Sequence, residues 1–252
     1  MSIAVEIKNL SKHYKNVIAL SDLSIDINQG EIFGIIGPNG AGKSTTLKII
    51  TTLLTATSGS AKVFGVDVTR NPEEIRKMIS YLPEEAGSYK QLTGREYLEF
   101  MAGLLGLPNE ESASDIVKRG IDLAGLGERI DDRTKEYSKG MRRKLLIARA
   151  LMSKPRLAVL DEPASGLDVK HAYYVRGIIK DYVREKGITV LLSSHNMLEV
   201  EYLCDRVCLL DEGRLIDIGT PAELISKYSA INLEEVFIKA TGSALPQMGS
   251  ES

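Results

Sequence analysis

Apolar and polar residues alternate along Val5-Glu-Ile-Lys-Asn-Leu10 and again along Leu23-Ser-Ile-Asp-Ile27, so the N-terminus is predicted to form half-buried antiparallel strands. The next run, Glu31-Ile-Phe-Gly-Ile-Ile36, is apolar without alternation, which predicts a strand buried on both faces. Residues 60–64 and 79–82 read as further strands, with a short Pro-led helix over 72–78 between them. From 92 to 151 the period becomes helical. A capping box, Thr93-Gly-Arg-Glu96, opens one helix, Asn109 a second, and Ser138-Lys-Gly140 precedes a third over 141–152. Strands return at 157–160 and 188–192, separated by a long helix over 168–185. A hairpin over 206–219 turns at Glu212-Gly213, Thr220-Pro-Ala-Glu223 caps another helix, and a last helix covers 232–240. The order predicts an α/β domain over 1–240. Its core comes from 1–91 and 152–231, an antiparallel β flank lies at the N-terminus, a helical subdomain is inserted at 92–151, and 241–252 forms a flexible tail.

Composition narrows the class. With 43% apolar and 26% charged residues in 252, the chain has the makeup of an ordinary globular protein. The net charge is −2 and the 32 Lys and Arg residues are scattered, which argues against a nucleic-acid backbone as partner. No apolar run reaches the roughly 18 residues that span a bilayer. Met1-Ser-Ile-Ala-Val-Glu6 lacks the charged and apolar regions of a signal peptide, so the chain is expected on the cytosolic side. Cys204 and Cys208 have no clustered His or further Cys, too few ligands for zinc, and are expected as buried free thiols.

The chemistry is concentrated in Gly37-Pro38-Asn39-Gly40-Ala41-Gly42-Lys43-Ser44-Thr45, between the buried strand and a helix-like segment. The spacing G-x-x-x-x-G-K-S sets successive backbone N–H groups around a polyphosphate, because Gly37, Gly40 and Gly42 carry no Cβ to block close approach or positive φ. Lys43 would reach the β- and γ-phosphates, and the Ser44 hydroxyl would coordinate Mg²⁺. This stretch implies a nucleoside triphosphate. Asp161 and Glu162 end a second buried strand, at the sheet edge where α/β folds hold their ligands. Asp161 is expected to hold Mg²⁺ through water, and Glu162 to orient or deprotonate the water attacking the γ-phosphate. His195 ends a third strand, where it can contact that phosphate. Tyr14, in the first hairpin, could stack on an adenine.

Together and in this order, the glycine loop, Tyr137-Ser-Lys-Gly-Met141, Asp161-Glu162, Ser165-Gly-Leu-Asp168 and His195 resemble the ATP-binding subunits of ABC transporters. The resemblance implies a P-loop NTPase core with a mostly parallel sheet, an antiparallel flank and a helical insert. It also implies that Ser138 and Gly140 cap the ATP held by a second copy in an ATP-bound homodimer. Leu233-Glu-Glu-Val-Phe237 looks like the ending of exporter-type ATPases whose multi-span permease is a separate chain, placing the protein at the cytoplasmic face of the membrane. Tyr137, Lys139 and Met141 depart from the usual Leu-Ser-Gly-Gly-Gln signature, and Glu84 stands where the family has a metal-sensing glutamine. Permease docking is expected on the helical insert and the 84–89 loop, through Leu92, Tyr97 and Phe100 as exposed apolar residues. The competing reading, a soluble ABC ATPase of DNA repair or translation, would call for a long coiled-coil insert or two fused halves, and the chain has room for neither.

Overall fold

The structure, a computed structural model, describes residues 2–105 and 112–242. The alternating N-terminus folds as β1 (Ile3–Tyr14) and β2 (Val17–Asn28), which pair antiparallel through a bulged ladder. Both run longer than their alternating cores. Next come β3 (Ile32–Ile36), α1 (Lys43–Ile50), β4 (Ser58–Val63), β5 (Val66–Asp67), α2 (Pro72–Met78) and β6 (Ile79–Leu82). Three helices follow, α3 (Gly94–Leu104), α4 (Ala113–Ala124) and α5 (Lys139–Leu151), with two 3-10 turns between the last two. The chain then alternates β7 (Leu157–Asp161), α6 (Val169–Lys186), β8 (Thr189–Ser194) and α7 (Met197–Leu203). It closes with the hairpin β9 (Arg206–Asp211) and β10 (Arg214–Gly219), then α8 (Pro221–Lys227) and α9 (Leu233–Thr241).

Two sheets result, one ordered β2-β1-β4-β5 and antiparallel, the other ordered β10-β9-β3-β8-β7-β6. In the second, only the β10–β9 pair is antiparallel. Strand pleating sends alternate residues to opposite faces. Along β3, Phe33 and Ile35 join the core shared with the first sheet and α1, whereas Ile32 and Ile36 join the core beneath the helices. β7 divides the same way, Leu157 and Val159 against Ala158 and Leu160. Covered on both faces, these strands read as unbroken apolar runs.

The predicted capping box is present at α3: Thr93 Oγ1 accepts from the Glu96 N–H at 3.1 Å, and the Glu96 carboxylate accepts from the Thr93 N–H at 2.8 Å. Asn109, expected to open the next helix, lies outside the described residues, and α4 begins after a Ser112 cap. Tyr97 corrects an expectation. It is buried, because α3 turns Tyr97, Leu98 and Ala102 inward together, while Phe100 and Leu104 on the opposite face stay exposed. Leu92 is half-buried against the core. One apolar cluster runs from these helices through Leu146 and Leu151 to Leu160 and Ile179, so the insert and the sheet share a core. Cys204 and Cys208 are buried free thiols, and burial pushes both pKa values up. α9 reaches Thr241 with Gly242 as a left-handed cap, and residues 243–252 of the expected tail lie outside the described residues.

Candidate functional site

Strand register assembles the site. Ile36 pairs with Ser194, Asp161 with Ser193 and Leu82 with Leu160 across parallel ladders. The C-terminal ends of β3, β8, β7 and β6 therefore share one edge. The glycine loop leaves the first, His195 the second, Glu162 the third and the Glu84 loop the fourth.

The glycines are required where the loop is tightest. A Cβ on Gly37 would sit 2.0 Å from the carbonyl oxygen of Leu210, and Gly40 and Gly42 hold φ of 84° and 102°, which L side chains rarely adopt. Gly42 then caps α1, and Lys43 is its first residue. The Lys43 ammonium donates to the carbonyls of Gly37 at 2.8 Å and Pro38 at 3.0 Å, and lies 3.8 Å from Glu162 Oε1. Burial pulls its pKa down, against the opposing pull of Glu162, Asp161 and Glu84. Asn39, Gly40, Ala41, Gly42, Lys43, Ser44 and Thr45 line a cavity of about 260 Å³ with Ala19, Glu84 and Glu162.

Asp161 Oδ1 accepts from Ser44 Oγ at 3.2 Å and from Ser193 Oγ. Glu162 is buried with φ 49°, an unusual setting for a residue with a Cβ. Its N–H donates to Ser193 Oγ at 3.1 Å and to the Ser193 carbonyl at 3.2 Å, and its Oε1 lies 2.8 Å from His195 Nδ1. Ser44 and Asp161 offer hard oxygens, which suit Mg²⁺. No group of three or more His, Cys, Asp or Glu side chains able to cage a metal occurs among the described residues. A cation held by one or two protein oxygens, with phosphate and water completing the octahedron, fits this donor set.

Three expected site residues stand apart from this cavity. Tyr14 sits at the tip of the first hairpin, half exposed, with Lys12 Nζ 5.0 Å from its ring centroid, and Ala19 rather than Tyr14 lines the cavity. Ser138 and Gly140 head α5, where Ser138 Oγ accepts the Met141 N–H at 3.1 Å. Gly140 packs so tightly on His171 that a Cβ would fall 2.3 Å from its ring. Two contributors escaped the sequence reading. Ser193 holds Asp161 and Glu162 in place, and Arg143, buried in α5, donates to the carbonyls of Glu84, Asp161, Glu162 and Pro163.

A glycine loop at the head of a helix, a hydroxyl beside a carboxylate, and a Glu–His pair on one edge of a parallel sheet define a P-loop nucleoside triphosphatase. The comparisons with known proteins give the family. The family model for ABC transporters matches residues 20–165, and the chain belongs to that family as its ATP-binding, ATP-hydrolysing subunit that powers transport. The chain is 41% identical to the daunorubicin/doxorubicin resistance ATP-binding protein of Streptomyces peucetius, over 90% of this chain and 68% of that one. It is 35% identical to the bacitracin transport ATP-binding protein of Bacillus licheniformis, over 86% and 70%. Among solved structures, an ATP-binding subunit of an ABC transporter superimposes with TM-score 0.82 at 30% identity, covering 94% of this chain and 99% of that one. A dimeric ATP-binding cassette in a post-hydrolysis state with ADP and phosphate superimposes with TM-score 0.76 at 26% identity, covering 86% and 98%.

Proposed function

We propose that this subunit drives export through a separate membrane permease, closing as a homodimer around two ATP molecules and reopening after hydrolysis. The observation that carries the hydrolytic half is the Glu162 carboxylate, buried on the wall of the P-loop cavity between His195 at 2.8 Å and Lys43 at 3.8 Å. In this reading the backbone of 37–45 and the Lys43 ammonium bind the phosphates, and Tyr14 stacks on the base. Ser44 and Asp161 would hold Mg²⁺, with Glu84 as a third oxygen, and the metal would neutralise charge on the phosphates. Glu162 takes the proton of the attacking water as its oxygen bonds to the γ-phosphorus and the bond to the β-phosphate oxygen breaks, giving ADP and phosphate. His195 fixes Oε1 of that carboxylate, which leaves Oε2 for the water, and contacts the γ-phosphate. Ser138 and Gly140, outside this cavity, complete the site of the second copy, as the resemblance implies.

Export is favoured by the resistance and transport proteins among the relatives. A peripheral position at the cytoplasmic face suits a chain with no described helix long and apolar enough to cross a membrane. The permease contact is assigned to the outward face of α3 and the 84–89 loop, where Tyr89 and Phe100 meet edge-on at 5.3 Å and both are exposed. Glu162→Gln tests the core of the proposal. It keeps shape and removes the base, so hydrolysis should fall by about 10²–10⁴ while Mg-ATP binding persists and dimers accumulate on size exclusion. Wild-type turnover in this variant would refute the assignment of Glu162.

A further inference from the structure

Three consecutive carbonyls, those of Asp161, Glu162 and Pro163, point at one buried guanidinium. Arg143 Nε donates to Pro163 at 2.7 Å, and Nη2 donates to Asp161 at 2.9 Å and also to Glu162; Nη1 reaches the Glu84 carbonyl at 3.2 Å. Carbonyl oxygens carry partial negative charge, so a turn that converges three of them stays closed only if a cation or several donors fill its centre. The turn is unusual for a second reason: Glu162 sits at φ 49° within it, a conformation that surrounding contacts must enforce in a residue with a Cβ. A planar fork can meet several acceptors in fixed directions at once, which a lysine cannot.

We infer that Arg143 is a positioning residue for hydrolysis: its guanidinium holds the 161–163 turn in the shape that aims Glu162 into the P-loop cavity, and it ties that turn to α5 and to the Glu84 loop. The inference rests on the assignment of Glu162 as the base. Arg143 is five residues past the Ser138 cap of the same helix, so the element that this cap opens also grips the backbone of the base. Arg143 makes no bond to the Glu162 carboxylate, whose polar partners are His195 and Lys43. Its effect is therefore expected on turnover and not on ATP affinity.

The test is a double-mutant cycle with Glu162. Arg143→Lys and Arg143→Gln are made in wild type and in Glu162→Gln, and single-turnover ATP hydrolysis, ATP affinity and thermal unfolding are measured for each. In the wild-type background, the variant that melts within about 5 °C of its parent should lose at least tenfold in rate with ATP affinity changed less than threefold. In the Glu162→Gln background the same change should cost less than threefold, because a residue that acts through the base has nothing left to position. An equal loss in both backgrounds, a rate within threefold of wild type, or a loss confined to ATP affinity would each overturn the inference. So would a melting drop larger than 5 °C for both variants, which would make Arg143 a support of the core. Wild-type hydrolysis by Glu162→Gln alone would overturn the base assignment separately, since Arg143→Lys could still be slow there.

Discussion

Gly140→Ala is the perturbation whose outcome the geometry constrains most tightly. The added Cβ would fall 2.3 Å from Cδ2, 2.5 Å from Cγ and 2.7 Å from Nε2 of His171, closer than any real Cβ contact. The ring cannot swing aside without loss, because Nδ1 lies 2.6 Å from Asp168 Oδ2 while the His171 N–H donates to Asp168 Oδ1 at 3.0 Å. Overpacking of this kind costs about 1–3 kcal/mol. Replacing a helical glycine by alanine returns about 0.5–1 kcal/mol. The net change in one variant thus spans about 0–2.5 kcal/mol of destabilisation, and the informative quantity is the coupling to His171. In a His171→Ala background the clash is gone and only the helical gain remains, so the coupling energy should be about 1–3 kcal/mol. Urea unfolding of the four proteins without nucleotide, at constant m, measures it. Additivity within about 0.5 kcal/mol would show that Gly140 is not held against His171. The nucleotide-free assay also separates packing from catalysis: His171→Ala should rescue stability in the double variant without restoring ATP-driven dimerisation, if Gly140 also faces the ATP of a second copy.

Other outcomes follow from single contacts. Glu84 lines the P-loop cavity, so Glu84→Gln should bind metal-free ATP more tightly and keep its hydrolysis rate within about tenfold, a barrier change of about 1.4 kcal/mol; titrations with and without EDTA check it, and an unchanged ratio of affinities sinks it. Burial raises the Glu199 pKa above the ordinary 4.5, so the folded state keeps a proton that the unfolded chain releases. Stability from this group is full below 4.5 and lost as pH rises through the raised value; Glu199→Gln should gain on wild type between pH 4 and pH 7 in urea melts, and a constant difference counts against it. Tyr97→Ala should cost about 3–5 kcal/mol as a buried aromatic truncation. Phe100→Ala, on the opposite face of α3, should stay within about 0.5 kcal/mol and instead weaken crosslinking to a membrane partner.

Much of the fold was legible because local signals and tertiary context agree. The apolar runs at 31–36 and 157–160 became strands covered on both faces, and the capping boxes at Thr93 and Thr220 start helices where they predict. α7 was not foreseen, although Asn196 and Glu199 stand at capping spacing and the Asn196 side chain accepts the Glu199 N–H. Seven residues give too few turns for the period to show. Tyr97 was misplaced because an aromatic on an amphipathic helix fits either face, and only its packing into the shared core decides. Arg143 was invisible for a different reason. In Arg142-Arg143-Lys144 it reads as part of a solvated basic run, and its four acceptors come from carbonyls 18 to 59 residues away.

The division of the site between strands and α5 bears on why one chain should need another. Every group on the P-loop cavity comes from a strand end or the loop that follows it, except Ala19 of β2 and the first residues of α1. Strand ends are fixed relative to one another by the register of the parallel ladder, which holds Asp161 opposite Ser193. α5 is different. Its head, with Ser138 as the N-cap, stands apart from the residues that line this cavity, and the positive end of a helix favours a phosphate there. Its first turns also carry Arg143 to the backbone of Glu162. A helix is stiff over this distance, so if the ATP of a second copy binds at the head of α5, as proposed above, its load would reach the turn that carries Glu162 and would couple closure to hydrolysis through one element.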